Sequence, residues 1–338
     1  MAKTVLVTGG TGYIGGELID QLLAAGHSVH TTVRNTGKSE PVLRARWPDA
    51  GARMKVFQAD LESDAGWAEA NAGCDAVAHV ASPFPVDVPA NADELVIPAR
   101  EGAMRAVRYA KEAGVKTFVL TSSAAAIAYG QKDKTKFDHT DWTDLDNPSV
   151  PPYHRSKTVA EKAAREWAGK NAPDMAFCSV NPVAVFGPVE SDDLSTSIVL
   201  VKMMMDGSVP LMPNMGIGIV DVRDVAKAHL LAIEADPGII RGGRFPVQEE
   251  FLWMREMGDI LRSRVPELSG KIAKKKMPDF MVRTLAPIVK EMKQIKGELG
   301  RVRDVDGSHT KRVLGMEYIP AAQTLEDTAR SLAKRGLI

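Results

Sequence analysis

Short apolar, β-branched runs alternate with longer amphipathic segments through the first half of the chain. Thr4-Val5-Leu6-Val7 reads as a strand, Tyr13 to Ala25 as a helix stopped by Gly26, and Ser28 to Val33 as the next strand. Met54 to Phe57, Ala76 to Val80 and Thr117 to Leu120 continue the series, and Asp93 to Ala113 carries helical periodicity up to Gly114. The strands are nearly continuous apolar runs, the pattern of strands covered on both faces. Strand–helix–strand repeated in this way predicts an α/β fold, a doubly wound parallel sheet with right-handed crossovers. After residue 180 the rhythm changes. Met175 to Val180 and Arg244 to Val247 still read as strands, whereas 252–264, 277–294 and 321–335 are helical between loops carrying Gly and Pro. The expected organisation is a main domain over 1–188 with a return at 219–247, and a smaller, mostly helical lobe over 189–218 and 248–338.

Composition changes this picture little. The 338 residues are 44% hydrophobic and 25% charged, average for a globular protein. The 43 basic and 43 acidic side chains cancel, so no electrostatic footprint for nucleic acid or an anionic membrane is expected. Lys274-Lys275-Lys276 reads as a solvated helix end. The two cysteines, Cys74 and Cys178, cannot build a disulfide framework. Met-Ala-Lys-Thr runs straight into the first strand without a leader pattern, and no stretch approaches the roughly 18 apolar residues of a membrane span. A cytoplasmic location and a monomer or homodimer are expected.

The first strand is followed by Thr8-Gly9-Gly10-Thr11-Gly12-Tyr13-Ile14-Gly15-Gly16 and then a helix. In this strand–turn–helix setting Gly9 permits the tight turn and Gly12 lets the backbone approach a pyrophosphate. Gly15 lets the helix lie close on the strand, and the helix N-terminus faces the anion. Gly9, Gly12, Tyr13, Ile14 and Gly15 are therefore candidate dinucleotide contacts in a Rossmann unit. A site preferring NAD places Asp or Glu at the end of the second strand. Here the strand ends Thr32-Val33-Arg34, with Lys38 close behind and no acid until Glu40. A guanidinium there binds a 2′-phosphate through paired hydrogen bonds, so the expected cofactor is NADP(H). Asp60 and Leu61 after the third strand, and Val80, Ala81 and Ser82 after the fourth, are expected along the adenosine and ribose.

Tyr153-His154-Arg155-Ser156-Lys157 opens a helix, placing Tyr153 and Lys157 on one face. Thr121-Ser122-Ser123-Ala124 ends the fifth strand beside the nucleotide edge and brings a hydroxyl to the same crevice. Such a set suits hydride transfer to a carbonyl. Tyr153 would be the general acid, its pKa lowered toward the working range by the Lys157 ammonium and the nicotinamide ring. Lys157 would also bind the ribose hydroxyls, and Ser123 would hydrogen-bond the substrate oxygen. His79 reads as a core histidine. The other histidines are scattered, no metal-ligand spacing emerges, and no Gly-x-Ser-x-Gly elbow is present. Met203-Met204-Met205, with Met212 and Met215, reads first as helix packing and secondly as an adaptable apolar wall for substrate.

With these motifs assembled, the sequence resembles the extended short-chain dehydrogenase/reductase family, in particular its dihydroflavonol-4-reductase-like subgroup of NADPH-dependent aldehyde and ketone reductases. The likeness extends through Thr32-Val33-Arg34, His79 to Pro83, Tyr153 to Glu161, Asn181 to Pro188, Val220 to His229, Thr310-Lys311-Arg312 and Thr324 to Thr328. It implies Ser123, Tyr153 and Lys157 as catalytic triad and Arg34 as 2′-phosphate ligand. The backbone around Pro182 and Val185 would meet the nicotinamide. Substrate would enter by Ser82-Pro83-Phe84, the segment from Ser123 and Ala124, and the loop from Val189 to Gly218. Two departures stand out. Ala128 occupies the position where plant flavonoid reductases carry an Asn, which argues against a flavonoid. No relay Asn is found near Ala99 to Gly102, which leaves water or the ribose hydroxyl to carry the proton. The expected activity is reduction of an aldehyde or ketone bearing an apolar or aryl substituent. A nucleotide-sugar epimerase or dehydratase, a hydroxysteroid dehydrogenase and a redox-sensing NADP-binding regulator are the alternatives.

Overall fold

The structure, a computed structural model, describes residues 1–83 and 91–338. Phe84, an expected substrate contact, lies outside the described residues. The first half runs β1 (Thr4–Thr8), α1 (Tyr13–Ala24), β2 (Ser28–Val33), α2 (Thr36–Arg46), β3 (Met54–Gln58), α3 (Trp67–Asn71), β4 (Ala76–His79), α4 (Asp93–Glu112) and β5 (Thr117–Thr121). There follow β6 (Lys136–Phe137), α5 (Pro152–Asn171), β7 (Ala176–Pro182), β8 (Ala184–Phe186), α6 (Thr196–Asp206), β9 (Gly216–Asp221), α7 (Val222–Glu234) and α8 (Pro237–Ile240). The chain ends with β10 (Arg244–Val247), β11 (Glu250–Trp253), α9 (Met254–Arg264), α10 (Asp279–Leu285), α11 (Lys290–Ile295), β12 (Asp304–Val305), α12 (Ser308–Leu314) and α13 (Ala321–Lys334).

Seven strands form one parallel sheet in the order β10-β7-β5-β4-β1-β2-β3. Successive side chains of a strand point to opposite faces, and both faces here are covered. Val5 and Val7 join a core with Leu18 and Ile19 of α1 and Val225 of α7. Leu6, between them, joins the opposite core with Ala103 and Ala106 of α4 and Ala160 and Ala164 of α5. The alanine stripes let α4 and α5 lie close together. After β3 the chain crosses back over β1 to β4, so the winding direction reverses between β1 and β4. A crevice at the carboxyl ends of the strands is expected there.

A three-stranded sheet, β11-β9-β8, packs with α6, α9 and α13. It corrects the expected 252–264 helix: Leu252 and Trp253 instead pair with Ile217 and Gly216 of β9, and the helix starts at Met254. Aromatic and branched side chains favour the half-buried strand. The expected helix over 277–294 is two shorter ones. The break spans Ala286 to Val289, and Pro287 has no N–H to continue the ladder. Met204, Met205 and Met212 pack with Met257, Leu261 and Leu325 in a third core, and the partly buried Met215 packs against it, so four of the five methionines are packing residues. Lys274, Lys275 and Lys276 are exposed. Among the described residues no helix is long and apolar enough to cross a membrane.

Candidate active site

The turn after β1 is built by backbone constraints that a side chain would break. Gly9 has φ +73°, and an added Cβ would stand 3.2 Å from Ala81 Cβ. Gly12 N–H donates to Gly9 O at 2.9 Å. A Cβ on Gly15 would lie 2.4 Å from Gly9 O, so this glycine lets α1 press onto the turn. Gly10, outside the Gly9-Gly12-Gly15 spacing, is as tightly held: a Cβ there would meet Thr31 Oγ1 at 2.2 Å. Gly12 is the N-cap of α1, and no side chain caps it. The free N–H groups and helix dipole therefore face the crevice, where an anion is favoured. Gly12, Tyr13 and Ser195 line one cleft, and the Tyr13 and Ser195 hydroxyls are buried without a partner among the described residues. The uncapped helix start fits a dinucleotide's phosphates, whereas the cleft holding the Tyr13 and Ser195 hydroxyls also carries Glu17, Glu190 and Asp193.

Arg34 follows the last residue of β2, and Asn35 caps α2 by accepting from Lys38 N–H at 3.0 Å. Arg34 and Lys38 are both exposed and make no ion pair among the described residues. On the other side of β1, Thr8 Oγ1 accepts from Ala81 N–H at 3.0 Å and shares a 3.0 Å hydrogen bond with His79 Nδ1. That pairing ties the β4 end, Val80-Ala81-Ser82, to the glycine turn. Leu61, Ala81, Ser82, Ser122 and Lys157 line one cavity. Asp60 is half-buried, with Oδ1 accepting from Glu62 N–H at 3.0 Å.

Ser123 is fixed by continued pairing past β5. Ser122 N–H donates to Val180 O at 2.8 Å, and Ser123 Oγ accepts from Ala125 N–H at 3.1 Å, capping the tight turn Ala124–Ala126. Pro151 and Pro152 start α5, the latter with φ preset for a first helical residue. Tyr153 and Lys157 then lie one turn apart, both half-buried. The Tyr153 hydroxyl is hydrogen-bonded to the Ser123 side chain. The phenol and the alcohol thus meet at the sheet's carboxyl edge, and the amine, one helical turn further on, lines the cavity with Ser82, Ser122 and Leu61. Pro182 ends β7, and its carbonyl accepts a long 3.5 Å contact from Ser123 Oγ; Val185 lies buried in β8. Ala124 is buried beside Ile127, Ala128 and Val183.

A sequence profile of the NAD dependent epimerase/dehydratase family matches residues 5–245. The chain belongs to that family. Cinnamoyl-CoA reductase CAD2 of Medicago truncatula is 32% identical over 342 residues, covering 99% of this chain and 97% of that protein. Dihydroflavonol 4-reductase of Hordeum vulgare is 37% identical across 60% of this chain and 59% of its own length. Among solved structures, yeast methylglyoxal/isovaleraldehyde reductase Gre2, complexed with NADPH, superposes with a TM-score of 0.80 at 28% identity, covering 99% of this chain and 100% of that one. The likeness to reductases of the extended short-chain dehydrogenase/reductase type, with its Rossmann-like sheet, therefore holds over nearly the whole chain.

The electrostatics of this family member depart from one expectation. Burial raises Tyr153 above the ordinary phenol value, and the Ser123 hydrogen bond pulls against it. A lowering by Lys157 is absent from that balance. Burial brings Lys157 itself down to about 8, while Glu161 pulls it upward. Glu161, one turn beyond Lys157, was visible in the sequence only as part of the family pattern. Fully buried, its carboxylate accepts from Ser122 Oγ at 2.5 Å, Ser179 Oγ at 2.8 Å, Asn181 Nδ2 at 2.8 Å and Arg244 Nε at 2.7 Å. These partners sit on or next to β5, β7 and β10, so one anion fastens α5 to the strand ends that carry Ser123 and Pro182. Arg244 also donates to the carbonyls of His139 at 3.1 Å and Ala126 at 3.3 Å. A Glu on an alanine-rich helix gives no sign in sequence that four donors will converge on it.

His79 is 2% exposed and brought down to about 3 by burial, with Lys157 adding to the effect, so it is a neutral core residue. Cys74 and Cys178 are both buried and free. No group of His, Cys, Asp and Glu able to hold a metal occurs among the described residues.

Proposed function

We propose that this protein reduces the carbonyl of an aldehyde or ketone with an apolar or aryl substituent. It is an NADP-dependent oxidoreductase, and its cofactor is NADP(H). Gly9, Gly12, Tyr13, Ile14 and Gly15 would receive the pyrophosphate and Arg34 with Lys38 the 2′-phosphate. Asp60, Leu61, Val80, Ala81 and Ser82 would follow the adenosine and ribose, and Pro182 and Val185 the carboxamide. When bound, the reduced nicotinamide supplies the hydride.

The observation that carries the proposal is the Tyr153–Ser123 hydrogen bond, with Lys157 one helical turn away. Ser123 Oγ and Tyr153 Oη converge where a substrate oxygen would sit. Ser123 polarises that oxygen, and Tyr153 donates its proton as negative charge develops there. A phenol that burial keeps protonated at neutral pH is in the form needed to act as the acid in a reduction. The Lys157 ammonium stabilises the phenolate left behind and holds the ribose hydroxyls. Ala124, Ala128 and Val183 supply a small apolar wall beside Ser123, which suits an alkyl or aryl group. In this reading residues 1–188, with the return at 219–247, hold the cofactor, and 189–218 with 248–338 shape the substrate side. The deciding experiment is NADPH oxidation across aldehydes, aryl ketones, diketones and nucleotide sugars. Turnover of carbonyl compounds that disappears in Tyr153→Phe is expected. Bound NAD with turnover of nucleotide sugars alone would overturn the reading.

A further inference from the structure

We propose that His154, Tyr129 and Arg303 form a polar subsite beside Tyr153 that receives a second, uncharged oxygen of the substrate. That oxygen is a hydroxyl or carbonyl on the carbon next to the reacting carbonyl, or on the one beyond. The inference rests on the carbonyl-reductase reading and names the substrate class within it.

His154 follows Tyr153 in the first turn of α5. The two rings meet edge to face, with centroids 5.6 Å apart and planes at 82°. On its other side the imidazole packs on Tyr129, centroids 3.7 Å apart. The Arg303 guanidinium lies over the Tyr129 ring at 4.3 Å. A connected stack therefore leads from the proposed acid to a guanidinium. Tyr129 also feels the charge of Tyr153, which puts the two phenols in one neighbourhood.

Two polar atoms in this stack are left unpaired. His154 Nδ1 and Arg303 Nε are both buried with no hydrogen-bond partner among the described residues. Buried polar groups are normally paired, and an unpaired one costs free energy that a bound group recovers. Their charge state narrows what can bind. Glu298 takes both terminal nitrogens of Arg303, at 3.0 and 3.2 Å, and so matches its charge. Burial, with Arg303 adding to it, brings His154 down to about 3, so the ring is neutral at physiological pH. A neutral imidazole offers one N–H and one lone pair, which suits a hydroxyl or carbonyl. A carboxylate would lose its water and gain no unmatched positive charge. The His154 and Tyr153 rings, with centroids 5.6 Å apart, set the second oxygen close to the reacting one, so the probe carries it on the adjacent carbon.

The test compares methyl phenyl ketone, hydroxymethyl phenyl ketone and phenylglyoxylate as substrates with NADPH. Wild-type protein, His154→Phe and Arg303→Lys are each checked by thermal melting. Arg303→Lys keeps a cation for Glu298 and removes the Nε–H. In the wild type, kcat/KM for the hydroxy ketone should exceed both others by about tenfold. Each variant should lower the ratio of hydroxy ketone to plain ketone, His154→Phe by about tenfold. Should one variant fail to fold, the other carries the comparison. An unchanged ratio in a folded variant, or a wild-type preference for phenylglyoxylate, sinks the subsite and leaves the reductase reading standing. Failure to reduce any carbonyl compound overturns both.

Discussion

Arg244 Nε donates to Glu161 Oε1 at 2.7 Å, and both side chains are shut off from solvent, at 6% and 0% exposure. Arg165 adds a second cation 3.5 Å from the same oxygen. Burial alone would raise the carboxylate, but Arg244, Arg165 and the Ser122 hydroxyl together outweigh that cost and hold it below its ordinary pKa. Glu161→Gln keeps the shape and removes the charge, leaving two cations facing a neutral amide. Breaking a buried pair in this way costs about 3–5 kcal/mol. Thermal or urea unfolding should show that loss. With the anion gone, Lys157 should also lose its ammonium at lower pH, shifting the alkaline break in kcat/KM downward.

The proposed acid can be separated from a structural tyrosine. Tyr153→Phe should abolish NADPH-dependent turnover while the NADPH dissociation constant stays within about threefold, because the phenol's contribution lies in the transition state. Ser123→Ala, which removes an oxyanion donor, should lower kcat by about 10²–10³-fold. Loss of NADPH binding in Tyr153→Phe would count against the assignment.

Cofactor preference rests on exposed charge. Arg34 has no carboxylate partner among the described residues, so its guanidinium is available to a 2′-phosphate. Arg34→Glu should raise KM for NADPH by at least about tenfold and spare NADH. Unchanged KM values for both would remove Arg34 from the site.

Lys157 sets a pH limit. Brought down by burial to about 8 from the ordinary lysine value, it loses its proton as pH rises through that point. In the free enzyme kcat/KM should therefore fall above about pH 8, toward tenfold per unit. The same shift makes the unfolded chain bind more protons than the folded one between about pH 8 and 10.4, so this group's contribution to stability improves with rising pH in that window. Activity falling while stability is maintained is the signature to seek in parallel pH profiles.

Asp224 behaves oppositely. It is 5% exposed, and burial, with Asp221 and Glu249 nearby, lifts it to about 6 although Oδ2 accepts from Ile319 N–H at 2.8 Å. The folded state binds this proton more tightly than the unfolded chain, whose Asp titrates near 3.9. Its contribution to stability is therefore present below about pH 4 and lost as pH rises through about 6. Asp224→Asn should stabilise the protein at pH 8 by about 1–3 kcal/mol and have little effect near pH 4, measured by urea unfolding at the two pH values.

Much of the architecture was legible along the chain because it follows from local rules. The strand over Ser28–Val33 and the helix starting at Tyr13 follow from β-branched runs, glycine stops and helical spacing. Legibility failed where long-range pairing competed with local pattern. Leu252 and Trp253 fit a helical reading until β9 offers them partners, and α2 carries no periodic signal because its exposed, charged face has no apolar stripe. For the site, the glycine spacing and the Tyr153/Lys157 register were plain in one dimension.

The sequence by itself determined the parallel sheet, the turn that only glycines can make, Arg34 at the end of β2, and a Tyr and a Lys one turn apart. Each depends on neighbours a few residues away or on the period of a helix or strand. The tertiary structure alone decided that Glu161 gathers Ser122, Ser179, Asn181 and Arg244, and that burial raises Tyr153 while lowering Lys157. It alone set His154 between Tyr153 and Tyr129 and laid Arg303 over the Tyr129 ring. These relations join residues up to 174 positions apart, Tyr129 to Arg303. Hydrogen bonding and desolvation depend on distances and water exclusion in space, which a linear order of side chains does not encode.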